Sequence, residues 1–237
     1  MAKKRTSKGS FHYKRKFLYL GIKRIDKEIS SVNLRDFIAI LEKGGVKTGP
    51  VFGSLLGIVR DNDFITWDED IDLYLLKEQE DAFDDLLPVL KAEGFELIRY
   101  ERRGLYSFMR NGEYMDVYVL EDVGGGIRHT GSTFFFDKDF TDTVSLDFKG
   151  ISVNIPKDID RHLEFLYGDW KTPVQYADFE LSTLSKLLLR MKVAFKNALP
   201  DCMYYPMLRR HHRKDFDAFV RKCEKKGIKL DLNKIRH

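Results

Sequence analysis

Apolar positions recur at helical spacing from Asn33 to Lys43, where Leu34, Phe37, Ile38, Ile40 and Leu41 share one face and Gly44-Gly45 supplies a stop. This predicts a core-facing helix. A short extended stretch, Pro50 to Phe52, leads through Gly53-Ser54 into the apolar run Leu55 to Val59, read as the first turns of a second helix. The period then changes to two. Ile71, Leu73 and Leu75 alternate with Asp70, Asp72 and Tyr74, which predicts a strand with one dry face and one face carrying carboxylates. Helical spacing returns from about Glu78 to Ala92, with Phe83, Leu86, Leu87 and Leu90 on one side, Pro88 inside and Gly94 past the end.

Phe95 to Tyr100 reads as a strand, and Leu105 to Arg110 and Glu113 to Leu120 as the arms of a hairpin closed by Asn111-Gly112, the strongest short-range hairpin signal. The second arm puts Met115, Val117 and Val119 on one face and Asp116 and Tyr118 on the other. Further strands are expected at Ser132 to Phe136 and on either side of Lys149-Gly150, and helices from Asp158 to Tyr167 and from Ser182 to Ala198. No repeat or clear linker interrupts the series. The economical reading is one α+β unit with a helical C-terminal portion: a basic disordered tail over 1–12, a catalytic domain over 13–180 and a basic helical extension over 181–237.

The pattern also assembles a candidate chemistry. Asp70 and Asp72 lie two apart on a strand, so both side chains project from one face. Asp116 lies on a second strand, opposite its apolar neighbours. If the two strands pair, three carboxylates converge without a cation among them, which is costly unless metal neutralises them, and oxygen ligands of this kind suit Mg2+ or Mn2+. Gly53-Ser54 stands at a strand-to-helix junction, where a glycine allows close approach of a phosphate and the helix N-terminus offers free N–H groups. Two ions about 4 Å apart would activate the attacking oxygen and stabilise the leaving one. An Asp-x-Asp pair by itself is weak, since such pairs decorate many strand ends. Asp68 shares the parity of Asp70, and with Glu69 it either joins the site or completes an acidic turn.

Composition narrows the setting. The chain of 237 residues is long enough to bury a full core, and its net charge of +4 is unevenly spread. Lys3 to Lys16 and Arg209 to His237 are basic and Asp61 to Asp85 is acidic, which fits an acidic metal site flanked by surfaces for anionic partners, or merely solvated ends. Cys202 and Cys223 have neither CxxC spacing nor a histidine cluster nearby, so neither a disulfide framework nor a zinc site is indicated. Phe17 to Ile22 is too short for a signal-peptide core or a membrane span, so the expected location is cytoplasmic. The six histidines show no metal-ligand spacing and read as structural or solvent-facing. Leu184, Leu187, Leu188, Met191, Phe195 and Leu199 recur at helical spacing among basic residues. That helix is expected to pack on the catalytic core, with peripheral contact to an anionic membrane as the alternative. Aromatics and arginines mix in the tail after Tyr204, but no nucleic-acid module is recognised and no nucleic-acid partner is expected.

The run GSLLGIVRDNDFITWDEDIDLYL, Gly53 to Leu75, resembles the hallmark of the LicD family of phosphotransferases, which includes the fukutin-related proteins, with its GTLLG, arginine and WDDDID pattern. FKGISVNIP from Phe148, followed by HLEFLYGDWKTP ending at Pro173, resembles the family's later motifs. With Asp116, the resemblance spans roughly residues 33 to 173. It departs from the family at Phe52-Gly53-Ser54, where a Gly-Gly-Thr entry is common, at Lys47-Thr48-Gly49-Pro50, and at Asp68-Glu69-Asp70, where many members have three aspartates. Serine is normal at this place in nucleotidyltransferases generally.

The resemblance implies a nucleotidyltransferase-like mixed β-sheet flanked by helices. It implies transfer of a phosphorylated alcohol, such as phosphocholine or ribitol phosphate, from a CDP-linked donor to a glycan or lipid-linked glycan in surface polysaccharide biosynthesis, with release of CMP. By position it gives Asp70 and Asp72 the metal-pair role, Asp116 that of the third carboxylate, and Gly53 and Ser54 contact with donor phosphate. Arg60 would neutralise donor phosphate or order the loop, unless it only pairs with Asp61 and Asp63; Tyr167, Gly168, Asp169 and Trp170 would shape and close the site. The competing readings are a nucleotidyltransferase moving a nucleoside monophosphate and a non-catalytic nucleotide- or RNA-binding module of the same fold. Donor head group, acceptor and oligomeric state are set by loops that no motif constrains.

Overall fold

The computed structural model describes residues 1–18, 24–174 and 183–235. Its centre is a mixed sheet built from β3 (Thr48–Pro50), β4 (Ile71–Leu76), β5 (Glu96–Glu101), β6 (Leu105–Arg110) and β7 (Glu113–Gly124), in the order β3-β4-β7-β6-β5. β4 and β7 run parallel; the other pairings in this row are antiparallel. β8 (Ile127–Thr130) and β9 (Thr133–Phe136) continue from the far end of β7.

Helices α1 (Lys27–Lys43) and α3 (Glu80–Ala92) cover the apolar face, and α2 (Phe52–Asp61) follows β3. Leu34, Phe37 and Leu41 of α1 and Phe83 and Leu87 of α3 join Ile71, Leu73, Leu75, Met115 and Val117 in one core. Phe37 has no exposed surface and meets the rings of Phe95 and Phe108 at 5.1 and 5.3 Å, so its truncation to alanine should cost roughly 3–5 kcal/mol. α1 begins earlier than its apolar periodicity indicates, because Asp26 caps it by accepting the Ile29 N–H at 3.0 Å.

Past the sheet come the short helix α4 (Lys138–Thr141), the hairpin β10 (Thr143–Phe148) and β11 (Ile151–Pro156), and α5 (Ile159–Tyr167). β11 lies so close to β3 that a Cβ on Gly49 would run into the Asn154 carbonyl oxygen. The chain then forms α6 (Thr183–Ala198) and the long α7 (Asp201–Lys225). Expected helix residue Ser182 lies outside the described residues, as does the stretch 175–181.

Two expectations are corrected. Residues 1–12 are not a disordered tail: β1 (Ala2–Thr6) and β2 (Gly9–Tyr13) form an antiparallel hairpin. Lys4 is buried there, its Nζ 2.8 Å from Asp84 Oδ2 and 3.5 Å from Glu80 Oε1, and it sits over the Tyr100 ring at 4.8 Å. Composition concealed this because the ordering rests on long-range contacts, the buried pairing of Lys4 with Asp84 and Glu80 and the packing of Ala2, Phe11 and Tyr13 on the core, rather than on a local apolar run. Nor does the apolar stripe of α6 pack on the catalytic core. Leu184, Leu187, Leu188, Met191 and Phe195 are 53–66% exposed, and the apolar face of the sheet is already covered by α1 and α3.

Candidate active site

The polar face of the sheet carries one row of directly opposed residues. Asp72 on β4 pairs in register with Asp116 on β7, Asp116 with Ser107 on β6, and Ser107 with Arg99 on β5. Residues in one such row share a face, because side chains alternate along every strand. Ser107 is fully buried and small. The Arg99 side chain crosses it, donating from Nε to Ser107 Oγ at 2.8 Å, and reaches Asp116 Oδ2 with Nη2 at 2.6 Å.

Asp70 precedes β4 by one residue, at the entry to the row. Burial pushes its carboxyl well above the ordinary carboxylate range, and the charges of Asp72, Asp116 and Asp68 push it further. Asp72 is raised likewise, by burial and then by Asp116 and Asp68. In Asp116 burial also prevails, although Arg99 opposes it. Asp116 is 3% exposed and its Oδ1 has no hydrogen-bond partner.

The turn before α2 serves this row. Val51 N donates to the Asp72 carbonyl oxygen at 3.0 Å, and the buried Ser54 Oγ accepts from the Asp72 N–H at 2.8 Å. Ser54 thus ties the helix start to β4. A Cβ on Gly53 would lie 2.5 Å from Asp68 Oδ2, so only glycine leaves that carboxylate in place. Val51 caps α2 without a side-chain bond, and the first N–H groups of the helix face the acidic row, with the Gly53 N–H against the Asp72 carboxylate.

Of the residues expected in the later motif, Tyr167 comes close enough to Asp72 and Asp68 for their charges to add to burial in raising its pKa. Asp169 is exposed and accepts from Thr172 Oγ1 at 2.7 Å. Trp170 packs against the main core. Arg60 forks onto Asp61 at 2.7 and 2.8 Å, the local pairing that its neighbours allowed. Sequence reasoning missed Arg99, although Tyr118, noted on the Asp116 face, does stand at the site: its hydroxyl pKa is raised by burial and by Asp72 and Asp116. No motif marks Arg99; only the strand order brings it here.

Among the described residues, no group of three His, Cys, Asp or Glu side chains is arranged to hold a metal ion as it stands. One oxygen of Asp116 is engaged by Arg99, and the carboxylates repel one another. Their chemistry nonetheless fits a hard divalent cation, since a buried acceptor oxygen lacks a partner and three mutually repelling carboxylates have a single guanidinium, Arg99, to compensate them.

A glycine-serine turn opening a helix, Asp-x-Asp at the head of the next strand and a third aspartate on the parallel neighbour define a protein of the nucleotidyltransferase-fold class. Residues 45–158 match the family described as LicD/FKTN/FKRP, nucleotidyltransferase domain, and this part of the chain belongs to it. The assignment supports a transferase. An uncharacterised protein of Rickettsia prowazekii is 25% identical over 145 residues, 58% of this chain and 53% of that protein. One of Rickettsia typhi is 26% identical over 168 residues, 67% of this chain and 53% of that protein. The chain therefore spans about half the length of the curated relatives it matches. Among solved structures, the lincomycin-bound lincosamide adenylyltransferase LnuA aligns over 67% of this chain and 93% of its own, with 10% identity and a TM-score of 0.43. The antibiotic-resistance factor ANT(2'')-Ia aligns over 84% and 99%, with 13% identity and a TM-score of 0.43.

Proposed function

We propose that the chain transfers a phosphorylated alcohol from a CDP-linked donor to a hydroxyl of a surface glycan, releasing CMP. The carrying observation is the pairing of Asp72 with Asp116 across β4 and β7, with Asp116 Oδ1 buried and unpartnered. Asp70, Asp72 and Asp116 would hold divalent magnesium, or manganese in its place. When bound, the ion would polarise the transferred phosphoryl group and lower the pKa of the attacking hydroxyl.

The chain's own residues have separate tasks on this reading. The N-terminus of α2 at Gly53 and Ser54 receives the donor phosphates, where N–H groups and the helix dipole favour negative charge. Arg60, Tyr167, Gly168, Asp169 and Trp170 contribute to the donor pocket as the family resemblance implies. Asp116 accepts the proton of the acceptor hydroxyl, directly or through water. The acceptor oxygen forms a bond to the phosphorus bearing the alcohol, and the phosphoanhydride bond to CMP breaks. CMP carries away the electron pair, and the proton passes through Asp116 to solvent.

α6 adds a place of work. Leu184, Leu187, Leu188, Met191 and Phe195 stand exposed beside Lys192 and Lys196. An exposed apolar stripe edged by lysines suits a peripheral contact with anionic lipid at the cytoplasmic face of a membrane. Among the described residues no helix is long and apolar enough to cross one.

The test is a screen of CDP-choline, CDP-ribitol and CDP-glycerol with magnesium and a panel of glycans, reading CMP. Release of CMP that needs both acceptor and metal is the expected result. Pyrophosphate release from nucleoside triphosphates in its place would assign nucleotidyl transfer, and metal-independent nucleotide or RNA binding without turnover would assign a binding module.

A further inference from the structure

Beyond the acidic row, a cleft of about 1150 Å³ opens between α7 and the turn joining β5 to β6. Tyr205, Leu208, Arg209, His212, Arg213 and Phe216 line it from α7. Their spacing of three and four residues makes them one face of the helix. Tyr100, Arg102, Arg103 and Val119 line the opposite wall.

The cations of this cleft are not equivalent. Arg102 is spent on architecture: it binds Asp201 Oδ1 at 2.7 Å and the Lys196 carbonyl at 2.6 Å, and it stacks on Tyr204 at 3.8 Å. Arg209 and Arg213, one helical turn apart, are exposed and form no ion pair with any described residue. The carboxylates of the cleft are largely engaged. Glu80 is held by Lys77, Lys4 and the Tyr106 hydroxyl, and Asp122 accepts the Gly124 N–H at 2.7 Å, while Glu121 turns outward, 62% exposed, beside a His129 that burial keeps neutral. Asp217, a turn beyond Arg213, makes no ion pair with it.

A chain of ion pairs links the cleft wall to the acidic row. Arg103 Nε binds Glu101 Oε2 at 2.7 Å, Glu101 Oε1 lies 3.9 Å from Arg99, and Arg99 holds Asp116. Arg103 therefore stands between the unpaired arginines of α7 and the residue assigned to the acceptor hydroxyl.

We propose that this cleft is a binding site for phosphate groups, with Arg209 and Arg213 as the principal ligands and Arg103 at its inner end. On the transferase reading above, on which this part rests, the occupant is a phosphate-bearing acceptor whose hydroxyl end points toward Asp116. Two guanidinium groups one turn apart offer paired, charge-assisted donors to the oxygens of a phosphate or pyrophosphate. The volume admits such a group with a sugar attached. The phosphate has two sources, a soluble phosphorylated glycan or a lipid headgroup. The exposed apolar stripe of α6 joins the same α7, so the second source is sterically natural.

The test is calorimetry of the full chain with inorganic pyrophosphate in EDTA, which silences any metal-dependent phosphate binding at the carboxylates. The parent and Asp70→Asn should bind pyrophosphate alike, within about twofold. Arg209→Ala/Arg213→Ala should bind it at least about thirtyfold more weakly with an unchanged far-UV dichroism spectrum, given two lost charge-assisted contacts. Failure of the parent to bind, or parent-like binding by the double variant, overturns the site. Loss of CMP release in Asp70→Asn does not bear on it, so the two readings fail separately. Vesicles of phosphatidylcholine with and without phosphatidic acid separate the sources: binding that requires phosphatidic acid and both arginines assigns a lipid phosphate, and binding of pyrophosphate alone assigns a soluble one.

Discussion

Arg99 and Asp116 stand two strands apart, and their side chains meet at 2.6 Å because Ser107 between them is too small to block the way. The contact brings the compensating cation of the acidic row from the far edge of the sheet. It also divides the two oxygens of Asp116, leaving Oδ2 bound to Arg99 and Oδ1 without a partner.

Ser107→Val should therefore act as more than a change of one buried hydroxyl. The branched side chain would obstruct Arg99 and remove its bond to Ser107 Oγ, leaving Asp116 buried beside two other carboxylates without its counter-ion. The expected loss is roughly 2–4 kcal/mol in urea unfolding with EDTA present. A stability within about 0.5 kcal/mol of the parent would show that the crossing contributes little.

Asp72→Asn should separate stability from function. Removing one of the mutually repelling buried charges should raise the thermal midpoint in EDTA by a few degrees, on the order of 2–4 °C per kcal/mol for a chain of this size. The parent's midpoint should rise on addition of magnesium, the variant's should not, and turnover should fall by about a thousandfold or more. Full parent activity in EDTA, or a variant that is still stabilised by magnesium like the parent, contradicts the assignment.

Asp116→Asn tests the division of labour between donor and acceptor. Donor affinity should rest mainly on Gly53, Ser54, Asp70 and Asp72, and the Asp116 interaction should be made chiefly in the transition state. The expectation is a kcat lower by about three orders of magnitude or more, with affinity for a CDP-linked donor changed by about tenfold or less. Calorimetry with magnesium, set beside turnover, decides it, and loss of donor binding would move Asp116 to the donor side.

Acid should loosen the junction between β8 and α7. His129 is 7% exposed and meets His212 at 4.5 Å between ring centroids. Burial, and then the neighbouring His212, lower its pKa to about 4, against an ordinary 6.5. Folding thus holds this histidine neutral, while the unfolded chain binds a proton below pH 6.5. Its contribution is present above that pH and is lost as the pH falls toward 4. The urea midpoint should decline over this window, and His129→Phe should flatten the decline. An equally steep decline in that variant would assign the acid sensitivity elsewhere.

Much of the site was legible because its parts are local. The alternation around Asp70 and Asp72, the Asn111-Gly112 hairpin that carries Asp116, and the Gly53-Ser54 turn are each written in a few neighbouring residues. Strand period, turn chemistry and helix-start chemistry are short-range properties, so they show before any fold is known. The family motifs added an expectation of which strands would meet.

What the sequence by itself determined was therefore most of the elements between α1 and α5, their buried faces and the residues of the acidic row. The tertiary structure alone decided that Arg99 would lie across Ser107 onto Asp116, that Lys4 would order the first hairpin by pairing with Asp84, and that the apolar stripe of α6 would stay exposed. The physical reason is the same in all three. Each depends on which surfaces meet between residues distant along the chain: a guanidinium and a carboxylate two strands apart, a lysine reaching a helix eighty residues on, and a stripe that finds the apolar face of the sheet already covered. A helical period shows that a face is apolar, and only the packed fold shows whether anything lies against it.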